Sequence, residues 1–179
     1  MRADAQQNQE RLLAVAADAF AREGTGASLK AIAKQAGVGI GTLYRRFPTR
    51  ENLVEAVYRN EVGLLCAAAP QLLTEHAPVD ALRAWAARFV DLMATKHGMG
   101  DALRAVLVSE DDRMRTRHLL RDALAVLLDA GLAQGAVRAG LDPYEVLMAL
   151  GGLTLIAEGE DQRELAPRLV ELLISGIAR

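Results

Sequence analysis

The segment from Ser28 to Arg50 constrains the fold of this chain more than any other stretch of its sequence. It contains two short runs with helical spacing of apolar residues, "SLKAIAKQA" and "IGTLYRRF", on either side of the triplet "GVG". Gly37 suits a turn that needs a left-handed backbone, and Pro48 disfavours helical geometry at Phe47. The segment therefore predicts a helix-turn-helix of ordinary length.

The alternating glycines of this segment also raise the alternative of a phosphate-binding loop in an enzyme. A dinucleotide-binding loop needs G-x-G-x-x-G after a strand, whereas here a predicted helix comes first and Thr42 occupies the place of the third glycine. A Walker-type loop is also excluded because no Gly-Lys-Ser/Thr sequence follows. We therefore favour the helix-turn-helix over nucleotide binding.

Helical patterns and capping residues continue along the whole chain, so we predict an all-α fold of nine helices. Ser28 is expected to cap the second helix, and Thr49 to cap a fourth helix that ends before Pro70. Residues 1–9 are polar and are expected to lie outside the first helix. The predicted helices cover about residues 10–23, 29–36, 40–47, 50–68, 79–96, 101–109, 112–133, 142–158 and 163–177.

Composition agrees with helices, since apolar residues make up 51% of the chain, aromatic residues only 4%, and alanine and leucine dominate. The net charge of −2 conceals an uneven distribution. Residues 1–60 carry nine Lys and Arg against six Asp and Glu, and the rest of the chain carries an acidic excess. A basic N-terminal third indicates a polyanion as its partner.

The third predicted helix has the side chains of a DNA-reading element. Leu43 and Phe47, at positions i and i+4, form its inner face. Arg45 is suited to bidentate pairing with guanine, and Arg50, at the start of the next helix, to a nearby phosphate. The residues left on the outer surface and flanks of this helix are Ile40, Gly41, Thr42, Tyr44, Arg45 and Arg46.

The sequence "SLKAIAKQAGVGIGTLYRRFPTRENLVEAVY", preceded by "AADAFAREG", resembles the TetR-family transcriptional regulators over about residues 10–58. "RRFPTRENLVEAVY" followed by "GAVRAGLDPYEVL" is similar to the SbtR-like subgroup. The resemblance implies a homodimer that inserts two third helices into successive major grooves of a palindromic operator and is released by a small molecule. It also implies a DNA-binding domain over residues 1–48 and a ligand-binding and dimerisation domain over residues 49–179, joined by the helix 49–68.

The resemblance assigns Thr42, Tyr44 and Arg50 to phosphate contacts, and Ser28 with them. The chain departs from the family pattern at Gly39, where Ser or Ala is common, and at Ile40, where Lys or Pro is common. Ile40 is suited to a thymine methyl group instead. The complete predicted DNA-binding set is Ser28, Gly39, Ile40, Gly41, Thr42, Tyr44, Arg45, Arg46 and Arg50.

An apolar stripe at Trp85, Phe89 and Met93 has two interpretations. Such a stripe belongs more often to a core than to a ligand site, but the resemblance implies that this helix lines the effector cavity. We expect an apolar or weakly polar effector and no cofactor. The predicted lining is Trp85, Phe89, Met93, Met99, Leu107, Met114 and His118.

The last two predicted helices are apolar on more than one side, which requires burial on more than one side. A second copy of the chain is the usual partner, although the centre of a monomer is an alternative. Two adjacent glycines would allow helices to approach closely. The predicted dimer interface is Leu147, Gly151, Gly152, Leu155, Leu169, Leu172 and Leu173.

Other classes of protein are not favoured by the sequence. The three histidines are scattered, which predicts no metal site. The longest uncharged run, Val146–Ala157, is too short to span a membrane, and the polar start predicts no signal peptide, so we expect a cytoplasmic protein. We predict a repressor rather than an enzyme. The alternatives are an activator or ligand-independent regulator on the same scaffold and, more remotely, a helical enzyme that uses the C-terminal cavity.

Overall fold

The computed structural model of the protein describes residues 2–106, 110–156 and 161–179. Within these ranges the predicted all-α fold is confirmed: the chain forms nine α-helices, and a 3-10 turn at Gly24–Gly26 follows the first. The helices are α1 (Arg2–Glu23), α2 (Leu29–Gln35), α3 (Ile40–Arg46), α4 (Arg50–Glu75), α5 (Pro78–Gly98), α6 (Gly100–Val106), α7 (Glu110–Ala133), α8 (Pro143–Ile156) and α9 (Asp161–Ile177).

The helices group into two compact units. The N-terminal unit comprises Met1–Glu61 and Ala94–Asp112, and the C-terminal unit comprises Val62–Met93 and Arg113–Arg179. The sequence-based division after residue 48 follows chain order, whereas packing also assigns the start of α4 and the segment around α6 to the N-terminal unit.

The N-terminal unit has a continuous apolar core to which each of its helices contributes. Phe20, Ile32, Leu43 and Leu53, from α1 to α4, are all at most 2% exposed, and so is Met99 at the α5–α6 junction. Full burial of one large side chain contributes about 1.5–3 kcal/mol. This shared core holds the short helices α2 and α3, which are too short to be stable alone.

Gly98 brings the end of α5 against the end of α1. A Cβ atom at Gly98 would overlap the carbonyl oxygen of Phe20, so the two backbones touch where a side chain would separate them. Gly24, at the start of the 3-10 turn, has a φ of +64° and ends α1 at Glu23, the predicted last residue of the first helix. The C-terminal end of α1 is therefore fixed from two sides by glycines.

Two predicted helix limits are wrong. We expected α4 to end before Pro70, but α4 continues through this residue to Glu75. Ala68, Ala69 and Leu72 are buried around it, and their packing outweighs the cost of a helical proline, about 3 kcal/mol. The other wrong limit is the start of the first helix, which begins at Arg2.

Local side-chain pairs support the polar first turns of α1. Gln6 Nε2 donates to Glu10 Oε1 at 3.2 Å, and Arg11 Nη2 donates to Asn8 Oδ1 at 3.0 Å. Such i,i+3 and i,i+4 pairs each stabilise a helix by a few tenths of a kcal/mol, about 0.2–0.5. Apolar spacing does not reveal these turns, because their residues are polar.

The C-terminal unit buries Leu82, Trp85, Leu124 and Leu150, each at most 1% exposed. Helices α8 and α9 pack against one another. Arg138 N donates to Ile177 O at 3.0 Å, which ties the loop after α7 to the end of α9. No helix in the described ranges combines the length and the apolar character that crossing a membrane would require.

Candidate nucleic-acid interface

The turn between α2 and α3 is closed entirely by backbone hydrogen bonds. Val38 N donates to Ala33 O at 2.9 Å, and Gly37 N donates to Lys34 O at 3.1 Å. Together with the φ of +70° at Gly37, these two bonds form a Schellman motif, which satisfies carbonyls left open at the end of α2. The predicted role of Gly37 in the turn is confirmed, and no side chain of α3 takes part in it.

Rotation along α3 separates its residues into an inner and an outer side. Each helical residue advances by about 100°, so residues two positions before and after a buried residue lie almost opposite to it. Leu43 is fully buried, and Gly41 and Arg45 occupy these opposite positions. Thr42 and Tyr44 lie on the two flanks, with Tyr44 49% exposed. Gly41 and Arg45 are therefore the residues that project farthest from the core.

The amino end of α3 is open. Gly39 is its N-cap residue and makes no side-chain capping bond, while its carbonyl accepts from Leu43 N at 3.1 Å. No atom outside the helix lies within 4 Å of the position that a Cβ at Gly41 would take. Ile40, at 38% exposure, lies beside these glycines. Nothing inside the described unit requires Gly41 to be a glycine, so a requirement there would come from a partner.

Ser28 is an N-cap residue of α2, as the sequence predicts. Its Oγ accepts from Ala31 N at 3.3 Å, and the residue is exposed at the surface. A hydroxyl used as a cap has remaining capacity for a second polar contact, because it can both accept and donate. The capping role and the predicted phosphate contact are therefore compatible.

Arg50 and Arg46 both make contacts within the protein. Arg50 Nη1 donates to Thr25 O and to Ala27 O, each at 2.7 Å, in a partly buried site. Arg46 Nη2 donates to Gln9 Oε1 of α1. Arg45, in contrast, makes no hydrogen bond or ion pair with the described residues. The sequence predicts DNA contacts for all three arginines, and the structure shows that two of them also hold groups within the protein.

Thr49 and Asn52 form a reciprocal cap at the start of α4. Asn52 N donates to Thr49 Oγ1 at 3.2 Å, and Thr49 N donates to Asn52 Oδ1 at 3.3 Å. This is the arrangement of a capping box, with asparagine in the place usual for Glu or Gln. The cap by Thr49 is confirmed. The spacing of three residues was a signal by which Asn52 could have been found.

The predicted effector-lining residues do not lie in one unit. Trp85 and Phe89 stack with ring centroids 5.8 Å apart, and Trp85 Nε1 donates to Leu65 O at 3.0 Å, which places both in the core of the C-terminal unit. Three of the others belong to the C-terminal unit, where Met93 is buried, Met114 is half-buried and His118 is exposed. Met99 is buried in the N-terminal unit. Leu107 lies outside the described residues.

The predicted interface residues of α8 and α9 differ in exposure. Leu147 is 2% exposed and already belongs to the core of its own subunit. Leu155 and Leu172 are 59% and 70% exposed, which is unusual for leucine. The remaining four, Gly151, Gly152, Leu169 and Leu173, are half-buried.

Family models match both parts of the chain. The model described as "Bacterial regulatory proteins, tetR family" matches residues 12–57. The model described as "Transcriptional regulator SbtR-like, C-terminal domain" matches residues 77–179, which is more than half of the chain. The resemblance seen in the sequence, including the SbtR-like subgroup, is thereby confirmed.

Solved structures of similar proteins cover nearly the whole chain. A TetR transcriptional regulator from Streptomyces coelicolor is 47% identical, with a TM-score of 0.86, over 94% of this chain and 97% of that one. A TetR transcription regulatory protein from Mycobacterium vanbaalenii is 33% identical, with a TM-score of 0.79, over 99% of each chain.

Similarity to curated proteins is confined to a shorter segment. An HTH-type transcriptional regulator of Staphylococcus aureus is 37% identical over 65 residues. The match covers 36% of this chain and 35% of that protein, so the chain spans about a third of the length of the curated relatives it matches.

Proposed function

This chain belongs to the TetR family of transcriptional regulators, and from that premise we propose that it is a homodimeric repressor of a palindromic DNA operator. A small-molecule effector bound by the C-terminal unit releases the operator. The protein acts in the cytoplasm, where its operator is accessible. DNA reading, dimerisation and effector binding are each supported by a separate part of the chain.

The outer side of α3 supports DNA reading and carries the proposal. Arg45 projects directly away from the buried Leu43 and has no partner among the described residues, so its guanidinium is available for the O6 and N7 atoms of a guanine. Gly41, one turn earlier on the same line, adds no side chain that would hold α3 away from the bases. Thr42 and Tyr44 flank this line and are suited to the two phosphate backbones.

Two further contacts of the operator backbone involve residues that also serve the fold. Ser28 lies at the exposed start of α2, where its hydroxyl and the first amides of the helix favour a phosphate. Arg50 holds two carbonyls through Nη1, and the guanidinium has further N–H groups for a phosphate. Ile40 supplies an apolar contact for a thymine methyl group.

The exposed apolar residues of α8 and α9 support the homodimer. On α8, Met148, the Gly151–Gly152 pair and Leu155 repeat at three- and four-residue spacing, and so lie on one side. On α9, Leu169, Leu172 and Leu173 follow the same spacing. Two adjacent helices with equivalent apolar sides fit a two-fold interface, in which the same surface is used by both subunits.

The effector proposal rests on the apolar content of the C-terminal unit. Trp85, Phe89 and Met93 give α5 an apolar inner side, and the half-buried Met114 lies one turn before the exposed His118 on α7. An apolar or weakly polar molecule suits this combination, with His118 as a polar contact near the surface.

Selection from a randomised DNA library by the full-length protein tests the proposal. We expect enrichment of an inverted repeat, bound by two subunits, with affinity that falls steeply as salt rises. Failure to enrich any sequence would contradict the proposed function. On the enriched duplex, Arg45→Ala is expected to lose about 1–3 kcal/mol and to relax the preference at one base pair of each half-site. A base preference that survives this substitution would remove Arg45 from its assigned role.

A further inference from the structure

We propose that Gln9 is a positioning residue for the recognition helix: it holds the Arg46 guanidinium at the side of α3, so that Arg45 alone of this adjacent pair contacts DNA. This inference rests on the proposed function, because it assumes that α3 enters a DNA groove. It concerns a residue of α1 that is distant in sequence from the helix-turn-helix.

The contact that supports the inference joins two separate helices. Arg46 Nη2 donates to Gln9 Oε1 across 37 positions of the sequence. Gln9 is half-buried, unlike the exposed residues on both sides of it, which places its side chain toward the protein. A neutral amide oxygen accepts well from a guanidinium, but it leaves the positive charge in place.

The rotation of α3 explains why Arg46, and not Arg45, makes this contact. Arg45 lies two positions after Leu43 and points away from the core, whereas Arg46 lies three positions after it and returns toward the inner side. Because long side chains of a helix cover the turn before their own Cα atom, Arg46 is directed along the side of α3. Two arginines that are adjacent in α3 therefore differ in role: Arg45 faces the groove, and Arg46 is bound to Gln9.

The neighbouring residues of α1 hold Gln9 in register with α3. Arg11, two positions further on, lies beside the turn: its Nη2 would be 3.2 Å from a Cβ at Gly37. The same Nη2 donates to Asn8 Oδ1 at 3.0 Å. The segment from Asn8 to Arg11 thus follows the turn and the end of α3, so the contact of Gln9 belongs to a longer packed boundary.

The hydrogen bond between Arg46 and Gln9 affects how specifically the protein binds DNA. An arginine at the edge of a groove with no partner in the protein can contact a phosphate. Such a contact strengthens binding to every sequence alike and does not distinguish between bases. Holding Arg46 at Gln9 removes that contribution and leaves base reading to Arg45. Gln9 therefore acts on sequence preference through Arg46 and without touching the DNA.

The test measures the salt dependence of DNA binding for full-length variants. Two probes are used: the duplex enriched by the wild-type protein and a shuffled duplex of the same composition. The variants are Gln9→Leu, Arg46→Ala and the double variant. Gln7→Leu is the matched control, because it makes the same chemical change at an exposed position of the same helix turn. Thermal melting verifies that each variant folds.

We expect Gln9→Leu to steepen the plot of log affinity against log salt by about 1 on both duplexes, which corresponds to one added phosphate contact. Arg46→Ala in the wild-type background, and Gln7→Leu, are expected to leave the slope unchanged. The double variant is expected to return to the wild-type slope, which a merely structural effect of Gln9 would not do.

Three results would overturn the inference: an unchanged slope for Gln9→Leu, a steeper slope that persists in the double variant, or a slope flattened by about 1 in Arg46→Ala alone. The last would mean that Arg46 already contacts phosphate in the complex. If the wild-type protein enriches no duplex, the proposed function fails; if it enriches one and Gln9→Leu leaves the slope unchanged, only the inference about Gln9 fails.

Discussion

Arg50 connects the start of α4 to the segment between α1 and α2. Its two bonds to the carbonyls of Thr25 and Ala27 are short and partly buried. Sequence patterns predict a phosphate contact for a basic residue at this place, because they describe charge and spacing. They contain no information on which carbonyls a folded loop leaves open. The residue is therefore expected to serve the stability of the unit as well as DNA binding.

Arg50→Ala is expected to lower the free energy of unfolding by about 1–3 kcal/mol, because partly buried carbonyls that lose their donor cost about that much. Denaturant unfolding measures the change. Arg59→Ala, on the same helix, removes an exposed pair with Glu55 and should cost at most about 1 kcal/mol. Equal losses in the two variants would show that the carbonyl contacts of Arg50 add nothing.

Glu61 is a half-buried carboxyl whose pKa is raised, first by burial and then by the charge of Asp18, while a hydrogen bond from Asn60 opposes the shift. A raised pKa means that the folded state favours the protonated form. Its contribution to stability is therefore largest below the ordinary glutamate range, near 4.5, and is lost as pH rises through the raised pKa.

Glu61→Gln is accordingly expected to raise the melting temperature at pH 7, with the gain shrinking as pH falls towards 4.5. Melting curves over this pH range provide the measurement, and Glu51→Gln, an exposed change on the same helix, is the control. A gain that is independent of pH would mean that shape, and not charge, decides the effect at this site.

At the scale of single helices, the capping residues could be predicted from the sequence, but the continuation of α4 through Pro70 could not. Ser28 and Thr49 each accept a hydrogen bond from the amide three positions ahead, so their roles follow from local sequence. Pro70 stays within α4 because Ala68, Ala69 and Leu72 beside it are buried, and the local sequence does not show their packing. The contact of Gln9 with Arg46 could not be predicted either, since nothing near either residue in the sequence indicates the other.

Gly37 and Gly41 both lie in the helix-turn-helix, and alanine substitutions at the two positions are expected to change stability in opposite directions. Gly37→Ala is expected to destabilise the protein by about 1–2 kcal/mol, because a side chain disfavours the left-handed backbone at its φ of +70°. Gly41→Ala, in open space within α3, is expected to stabilise it by about 0.5–1 kcal/mol. Denaturant unfolding compares the two variants.

For Gly41, the expected effect on operator binding is opposite to the expected effect on stability. Gly41→Ala should weaken binding although it stabilises the helix, because the added methyl group holds α3 away from the bases. Anisotropy titration on the enriched duplex measures this. Normal binding by Gly41→Ala, and more so by Gly41→Leu, would show that close approach at this position is not required.

At the scale of the whole molecule, the exposed leucines of α8 and α9 carry the proposed homodimer. Leu172 is 70% exposed, so Leu172→Asp should leave the isolated subunit folded. Burying an unpaired charge costs at least about 3 kcal/mol, which weakens a dimer by about a hundredfold or more. Sedimentation is expected to show monomers at concentrations where the wild-type protein is dimeric.

Leu64→Asp, at a comparably exposed leucine of α4, is the control and should leave the dimer intact. A dimeric Leu172→Asp variant would place the interface elsewhere. The sequence could predict that α8 and α9 are apolar on more sides than packing within one subunit needs. It could not predict which leucines each subunit already buries, because Leu147 and Leu155 look equivalent in a helical pattern and differ only through packing.

The backbone-closed turn before α3 has a consequence for how such a regulator changes its target. Since Gly37 and the carbonyls of α2 form the turn, the outward-facing side chains of α3 take no part in closing it. Random substitution of Gly41, Thr42, Tyr44 and Arg45 should therefore yield many variants that fold alike and prefer different operators. The same separation would allow one ancestral scaffold to acquire new regulatory targets in a few mutational steps, each passing through a stable protein.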